Sequence, residues 1–152
     1  MTPEERLDAL GLKLPPVRAP MHSYVPSKEA GGLVFLSGQG PLKPDGKHYT
    51  GKVGASVTLQ EANSHARLVG LGLLAVAKSV AGELSRVDVV KVFGMVNATP
   101  EFADHPKVIN GCSDLFTEVL GAERGGHARS AVGMISLPNN MTVEIEAVIR
   151  IV

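Results

Sequence analysis

The amino-acid sequence predicts an α+β sandwich, a β-sheet with two helices packed on one of its faces. Three observations lead there. Residues 59–81 repeat apolar side chains at helical spacing behind a T-x-x-E capping box. Residues 142–151 alternate apolar with mostly charged side chains at the period of a strand. The chain has 152 residues, enough for one well-buried domain and too few to expect two. The expected order of elements is ββ, α, β, α, ββ, in a single domain over residues 22–152 preceded by a helix and a Pro-rich tether over 1–21.

Each element has its own signal. Thr2, Pro3 and Glu5 read as N-cap, first helical residue and capping-box partner of a short helix that Gly11 ends. "LKLPPVRAP" carries three prolines and reads as an extended tether. "HSYVPSKEAGGLVFLSG" reads as a hairpin, two β-rich runs separated by "KEAGG". "GPLKPDGKHYTGKVG" is a Gly/Pro-rich loop with at most one short edge strand. Thr58 and Glu61 open the long helix, and Gly82 closes it. Gly70 and Gly72 interrupt its regularity and mark places of close packing. "VDVVKVFGMVNA" reads as a buried strand, Asp104 and Pro106 start a second helix closed by Gly121, and strands at 128–136 and 142–151 are joined by "LPNN".

Two helices cover only one face of such a sheet. In the last strand Val143, Ile145, Ala147, Ile149 and Ile151 point one way, while Glu144, Glu146, Val148, Arg150 and Val152 point the other. A face that mixes charge with valine suits neither water nor a dry core, so the sheets are expected to self-associate. Net charge agrees: fifteen Lys+Arg balance fifteen Asp+Glu, which leaves little charge repulsion between copies. The same balance, with 4% aromatics and no Trp, argues against a nucleic-acid surface. No apolar run approaches the ~20 residues of a membrane span. "MTPEERLDALG" does not read as a signal peptide and one cysteine forms no internal disulfide, so the expected compartment is the cytoplasm.

Arg129, in "GGHARSAVG", is the first candidate for chemistry. A guanidinium at the threshold of small apolar residues needs a carboxylate partner, and if the chain provides none, a ligand has to. Arg129, Ala131 and Gly133 share a strand face, and the small neighbours leave space in which a planar fork could hold a small carboxylate. The alternative is a structural Arg paired with Glu144 or Glu146 on an adjacent strand. Those two glutamates lie on one face about 7 Å apart. One is therefore a candidate general acid/base with a raised pKa, or both are satisfied by Arg129 and Arg150. Tyr24 and Ser37 sit near strand ends and read, singly, as surface or hydrogen-bonding residues. The five histidines show no metal-ligand spacing, and no metal or cofactor is expected. Cys112 falls on an apolar helix face and reads as a buried, inert thiol. "GQGP" lacks the rest of a dinucleotide or phosphate-loop fingerprint, and no G-x-S-x-G elbow is present.

Taken in order, "YVPS…LVFLSGQGP", the long helix, a strand, "INGCSDLF" and "HARSAVG…LPNNMTVEIEAVI" resemble the Rid family, the reactive intermediate deaminases also called the YjgF family and labelled endoribonuclease L-PSP. The resemblance runs from about residue 22 to the C-terminus. Its most specific pieces are "SGQ" after an apolar strand and "ARS" with its Arg fifteen residues ahead of the Glu of "EIEA". It implies a chorismate-mutase-like fold and a homotrimer whose sheets line a central barrel, with a site in each intersubunit cleft. In deaminating members an Arg binds the carboxylate of a 2-imino or 2-enamino acid, and a Glu-held water attacks the imine carbon, releasing ammonia. Carried over, the Arg is Arg129, the Glu is Glu144, and Tyr24, Ser37, Gly38, Asn110 and the backbone at Ala131 bind substrate. This chain departs in having Ala131 where those members have Cys and Gly133 where they have Glu. Both changes are expected to widen the pocket, and an N-terminal extension sets this branch apart. The implied alternatives are a non-catalytic trimeric binder of small carboxylates and, least in keeping with the charge balance, a ribonuclease.

Overall fold

The computed structural model describes residues 1–20 and 22–152. Helix α1 (Pro3–Ala9) starts on its capping box, with the Glu5 N–H on Thr2 Oγ1 at 3.2 Å and the Thr2 N–H on Glu5 Oε2 at 2.7 Å. It packs on the rest of the chain: Leu7 is buried, Arg6 donates to the Val119 carbonyl at 3.2 Å, and Glu4 accepts the Leu84 N–H at 3.1 Å. Residues 12–20 then run without helix or strand, as three prolines require.

The first hairpin differs from the expected one. Strands β1 (Ser27–Ala30) and β2 (Leu33–Gln39) are antiparallel and joined by Gly31–Gly32 alone, whose φ of +59° and +80° suit a tight hairpin turn. Lys28, Glu29 and Ala30 lie in β1 rather than in the turn. A polar strand at the edge of a sheet has no core face and so shows no alternation. In the loop that follows, the single short edge strand is reduced to isolated bridges such as Leu42 to His48.

Helix α2 (Leu59–Ala81) begins at Thr58 with both halves of its capping box formed and ends at Gly82. Strand β3 (Val87–Asn97), helix α3 (His105–Leu120), a single turn α4 (Ala122–Gly125) and strand β4 (Ala128–Met134) follow. Strand β5 (Val143–Ile151) closes the chain. Sheet order is β1-β2-β5-β3-β4, antiparallel except for the β3–β4 pair, which α3 crosses over to connect.

Helices α2 and α3 cover one face. Val34, Leu36, Val89, Val92, Val96, Val143, Ile145, Ala147 and Ile149 are buried against them. On the other face Phe35 is 47% exposed, and Glu144, Glu146, Val148 and Arg150 are only partly covered or open. The expected mixed, uncovered face is therefore present. Among the described residues no helix is long and apolar enough to cross a membrane.

Candidate active site

Arg129 sits near the start of the edge strand β4 with its side chain on the helix side, level with the buried Val92 of β3. Its guanidinium lies along α3. Nη1 donates to Asn110 Oδ1 at 2.8 Å and to Ser113 Oγ at 3.1 Å, and Nη2 donates to the Pro106 carbonyl at 3.4 Å. Pro106, Asn110 and Ser113 recur at i, i+4 and i+7, one face of the helix. Three of the five guanidinium N–H groups are thus engaged, all by neutral oxygens. Among the described residues Arg129 has no carboxylate partner.

The expected alternative of an Arg129 pair with Glu144 or Glu146 is not what forms. Strand β5 inserts between β2 and β3, so β4 is never its neighbour, and Arg150 pairs instead with Asp88 at 2.6 Å. Glu144 faces the opposite, open side of the sheet, level with Met95. Within one chain the structure therefore does not bring Arg129 and Glu144 together.

Glu144 has its own surroundings. Pairing of β2 with β5 shifts register between Leu36 and Gln39, a bulge that sets Ser37 and Gly38 beside β5. The Glu144 carboxylate lies over Gly38 so closely that a Cβ there would come within 2.9 Å of Oε2. The Ser37 hydroxyl donates to the Val25 carbonyl at 2.6 Å, tying down the segment that carries Tyr24, whose ring is exposed. Ser37, Gly38, Glu144 and the Tyr24 segment thus belong to one neighbourhood, and Asn110 belongs with Arg129. Burial, with Glu146 as a lesser contributor, pushes the Glu144 carboxyl above its ordinary range.

Two expectations about space need correction. The room beside Gly133 is filled by His105, whose Nε2 would lie 2.5 Å from a Cβ at that position and whose ring meets Phe102 edge to face. Ala131, level with Gly94, is half-buried and its side chain packs against the core. Two concavities elsewhere, about 340 Å³ around Tyr49 and His65 and about 390 Å³ around Lys43, Lys47 and His48, share no residue with either cluster. The space at Arg129 is an open sheet edge.

The sequence reading also missed His105, Ser113 and His127. The i, i+4, i+7 row of Pro106, Asn110 and Ser113 was a findable signal, as was His127 two residues before Arg129 and hence on the same strand face. His105 reaches Gly133 across a long stretch of chain, and nothing local announces it. Cys112 is fully buried and its thiol is pushed up by that burial, which suits an inert packing residue.

A family model described as "YjgF/chorismate mutase-like, putative endoribonuclease" matches residues 4–147. The chain belongs to the YjgF family. It is 40% identical over 146 residues to Protein TCP17 of Trypanosoma cruzi, covering 95% of this chain and 91% of that one. The Agrobacterium tumefaciens protein Atu1372, of unknown function, is 43% identical with a TM-score of 0.88, over 99% of this chain and 92% of that one. A "putative endoribonuclease" of Shewanella oneidensis is 35% identical with a TM-score of 0.94, over 99% and 100%. The YjgF protein of E. coli shares the fold with a TM-score of 0.65 at 22% identity, over 88% of this chain and 92% of that one. The YjgF family match confirms the chorismate-mutase-like sandwich expected from the sequence.

Proposed function

We propose that this YjgF-family chain hydrolyses 2-imino and 2-enamino acids to 2-keto acids and ammonia, in clefts between the subunits of a homotrimer. The observation that carries the reading is Arg129, a half-buried guanidinium held by three neutral acceptors and left with N–H groups for an external anion. A carboxylate meeting that fork gains charge-assisted, bidentate hydrogen bonds and a fixed orientation. Arg129 and Glu144 occupy opposite faces of one sheet, so a common site takes Arg129 from one subunit and Glu144 from another. The uncovered sheet face supplies the surface for that association.

In the resulting cleft Glu144 accepts a proton from water as the water oxygen bonds to the carbon of the protonated imine. The carbinolamine nitrogen takes that proton from Glu144 to become an ammonium. Glu144 then removes the carbinolamine hydroxyl proton as the C=O forms and the C–N bond breaks, and ammonia leaves. An enamine substrate first takes a proton at its β-carbon to become the protonated imine. A carboxyl with a raised pKa suits this shuttle, because it gives up and takes back a proton nearer neutral pH. The backbone at Ala131, with Ser37, Gly38 and Tyr24, lines the remaining wall.

The test couples an amino-acid oxidase to the purified protein and follows keto-acid and ammonia release. Faster release than buffer that disappears in Arg129→Ala supports the reading, and release no faster than buffer removes it. A non-catalytic binder would retain 2-keto acids without hydrolysis. The endoribonuclease names of related proteins call for an RNA arm, where cleavage that survives Arg129→Ala would assign a separate activity.

A further inference from the structure

Arg129 is the end of a longer chain of hydrogen bonds. His127 Nδ1 lies 2.6 Å from the Gly125 carbonyl, and its Nε2 lies 2.8 Å from Ser113 Oγ, which in turn accepts Arg129 Nη1. A carbonyl only accepts, so Nδ1 carries the imidazole proton. Nε2 is then a bare lone pair and takes the single hydroxyl proton of Ser113. Ser113 is left with lone pairs alone on the side of the guanidinium. Every proton in the row runs one way: Arg129 to Ser113, Ser113 to His127, His127 to Gly125.

This direction decides what Arg129 has left. Asn110 Oδ1 and Ser113 Oγ use both protons of Nη1, and Pro106 uses one of Nη2. Nε–H and one Nη2–H stay free; with Pro106 on the Nη2 proton that faces Nη1, these are the two donors on one edge of the guanidinium plane. That edge is the spacing of a carboxylate. If Ser113 turned its proton toward Arg129, the Nη1–Ser113 contact would be lost and the guanidinium would be held by Asn110 and Pro106 alone.

We propose that His127 is a positioning residue that, through Ser113, fixes the free edge of Arg129 and so gives the site its selectivity for carboxylates. The proposal rests on the reading of Arg129 as the carboxylate-binding residue. The surroundings of His127 support it. Strand β4 brings the Arg129 charge, α3 brings Ser113 and the Phe116 ring edge-on at 5.8 Å, and α4 brings the Gly125 carbonyl. Burial, with Arg129 as a lesser contributor against the Gly125 bond, holds the imidazole below its ordinary pKa. The neutral form that accepts from Ser113 is therefore the form at neutral pH. By linkage, a carboxylate seated on Arg129 cancels part of the guanidinium field and raises the His127 pKa.

The experiment measures equilibrium binding of pyruvate and of pyruvamide, its uncharged analogue, to the full-length protein and its variants. Wild type is expected to prefer pyruvate by about tenfold or more. His127→Leu and Ser113→Ala are each expected to lose about five- to tenfold in pyruvate affinity with pyruvamide unchanged. His127→Gln keeps an oxygen acceptor near the Nε2 position and is expected to recover most of the preference. In parallel, ¹⁵N spectra of the wild-type imidazole should show the Nδ1–H tautomer, and pyruvate should raise the His127 pKa. An Nε2–H tautomer overturns the proposal even if His127→Leu fails to fold. So does undiminished preference in His127→Leu and Ser113→Ala while Arg129→Ala loses it, which leaves the reading of Arg129 intact. A wild type without preference, matched by Arg129→Ala, removes that reading and the proposal with it.

Discussion

Replacing Arg129 by Lys keeps the charge and removes the fork, which separates geometry from electrostatics. Arg129 reaches Asn110 Oδ1, Ser113 Oγ and the Pro106 carbonyl with two nitrogens and still offers two N–H groups outward. A lysine has one nitrogen and three protons. If it binds Asn110 and Ser113, one proton remains for a ligand and the bidentate contact is gone. Loss of that contact is worth about 1.5–3 kcal/mol, or roughly 10- to 150-fold in dissociation constant. The three α3 contacts are half-solvated, so the stability cost is expected near 1 kcal/mol, about 2–4 °C in Tm. Calorimetric titration with pyruvate, alongside a melting curve, measures both. In turnover the defect should appear as raised KM with kcat nearly unchanged, as for a contact made equally in ground and transition states. Wild-type affinity in Arg129→Lys would refute the carboxylate fork. A Tm lower by more than about 8 °C would make Arg129 a structural tie of β4 to α3.

Three other substitutions or probes follow from the same geometry. Glu144→Gln should cut turnover by about 10²–10⁴-fold yet raise Tm at neutral pH. Burial raises the folded pKa of this carboxyl, so its protonated form stabilises the fold at low pH and the contribution is lost as pH rises through that pKa. The acid limb of the wild-type pH–rate profile should accordingly lie above the ordinary carboxylate range, and a limb at or below it would contradict Glu144 as the base. Gly111→Ala, where a Cβ would meet the Asn63 carbonyl carbon at 2.9 Å and the Arg67 nitrogen at 3.2 Å, should cost about 1–3 kcal/mol by forcing α2 from α3; urea denaturation reads it. Cys112 should resist thiol reagents in the native protein and take up one equivalent after unfolding.

Local signals were legible wherever one face of an element is buried. The Thr58–Glu61 box and the apolar stripe behind it fixed α2 to the residue, and the alternation of Val143 to Ile149 fixed β5 and its orientation. The hairpin turn was not legible, because Lys28 and Glu29 sit on an edge strand with no side to hide. The site was legible in its parts and illegible in its arrangement. Arg129 and Glu144 carry local chemistry that a sequence displays, whereas Asn110, Ser37 and Gly38 enter the site only through the family resemblance. Strand order does not: β4 and β5 are consecutive in the chain yet separated by β3, which put Arg129 and Glu144 on neighbouring strands in the reading and on opposite faces in the molecule. His105 against Gly133 is the same failure at the level of one side chain.

The opposite placement of Arg129 and Glu144 has a genetic consequence. In the proposed assembly a chain carrying Arg129→Ala still lends a sound Glu144 to its neighbour, and a chain carrying Glu144→Gln still lends a sound Arg129. Two inactive alleles expressed together would then complement one another, since mixed assemblies contain a cleft in which both contributions are intact. Two alleles on the same face, such as Arg129→Ala with Asn110→Ala, would not. Interallelic complementation would thereby map which residues share a cleft without any structure of the assembly.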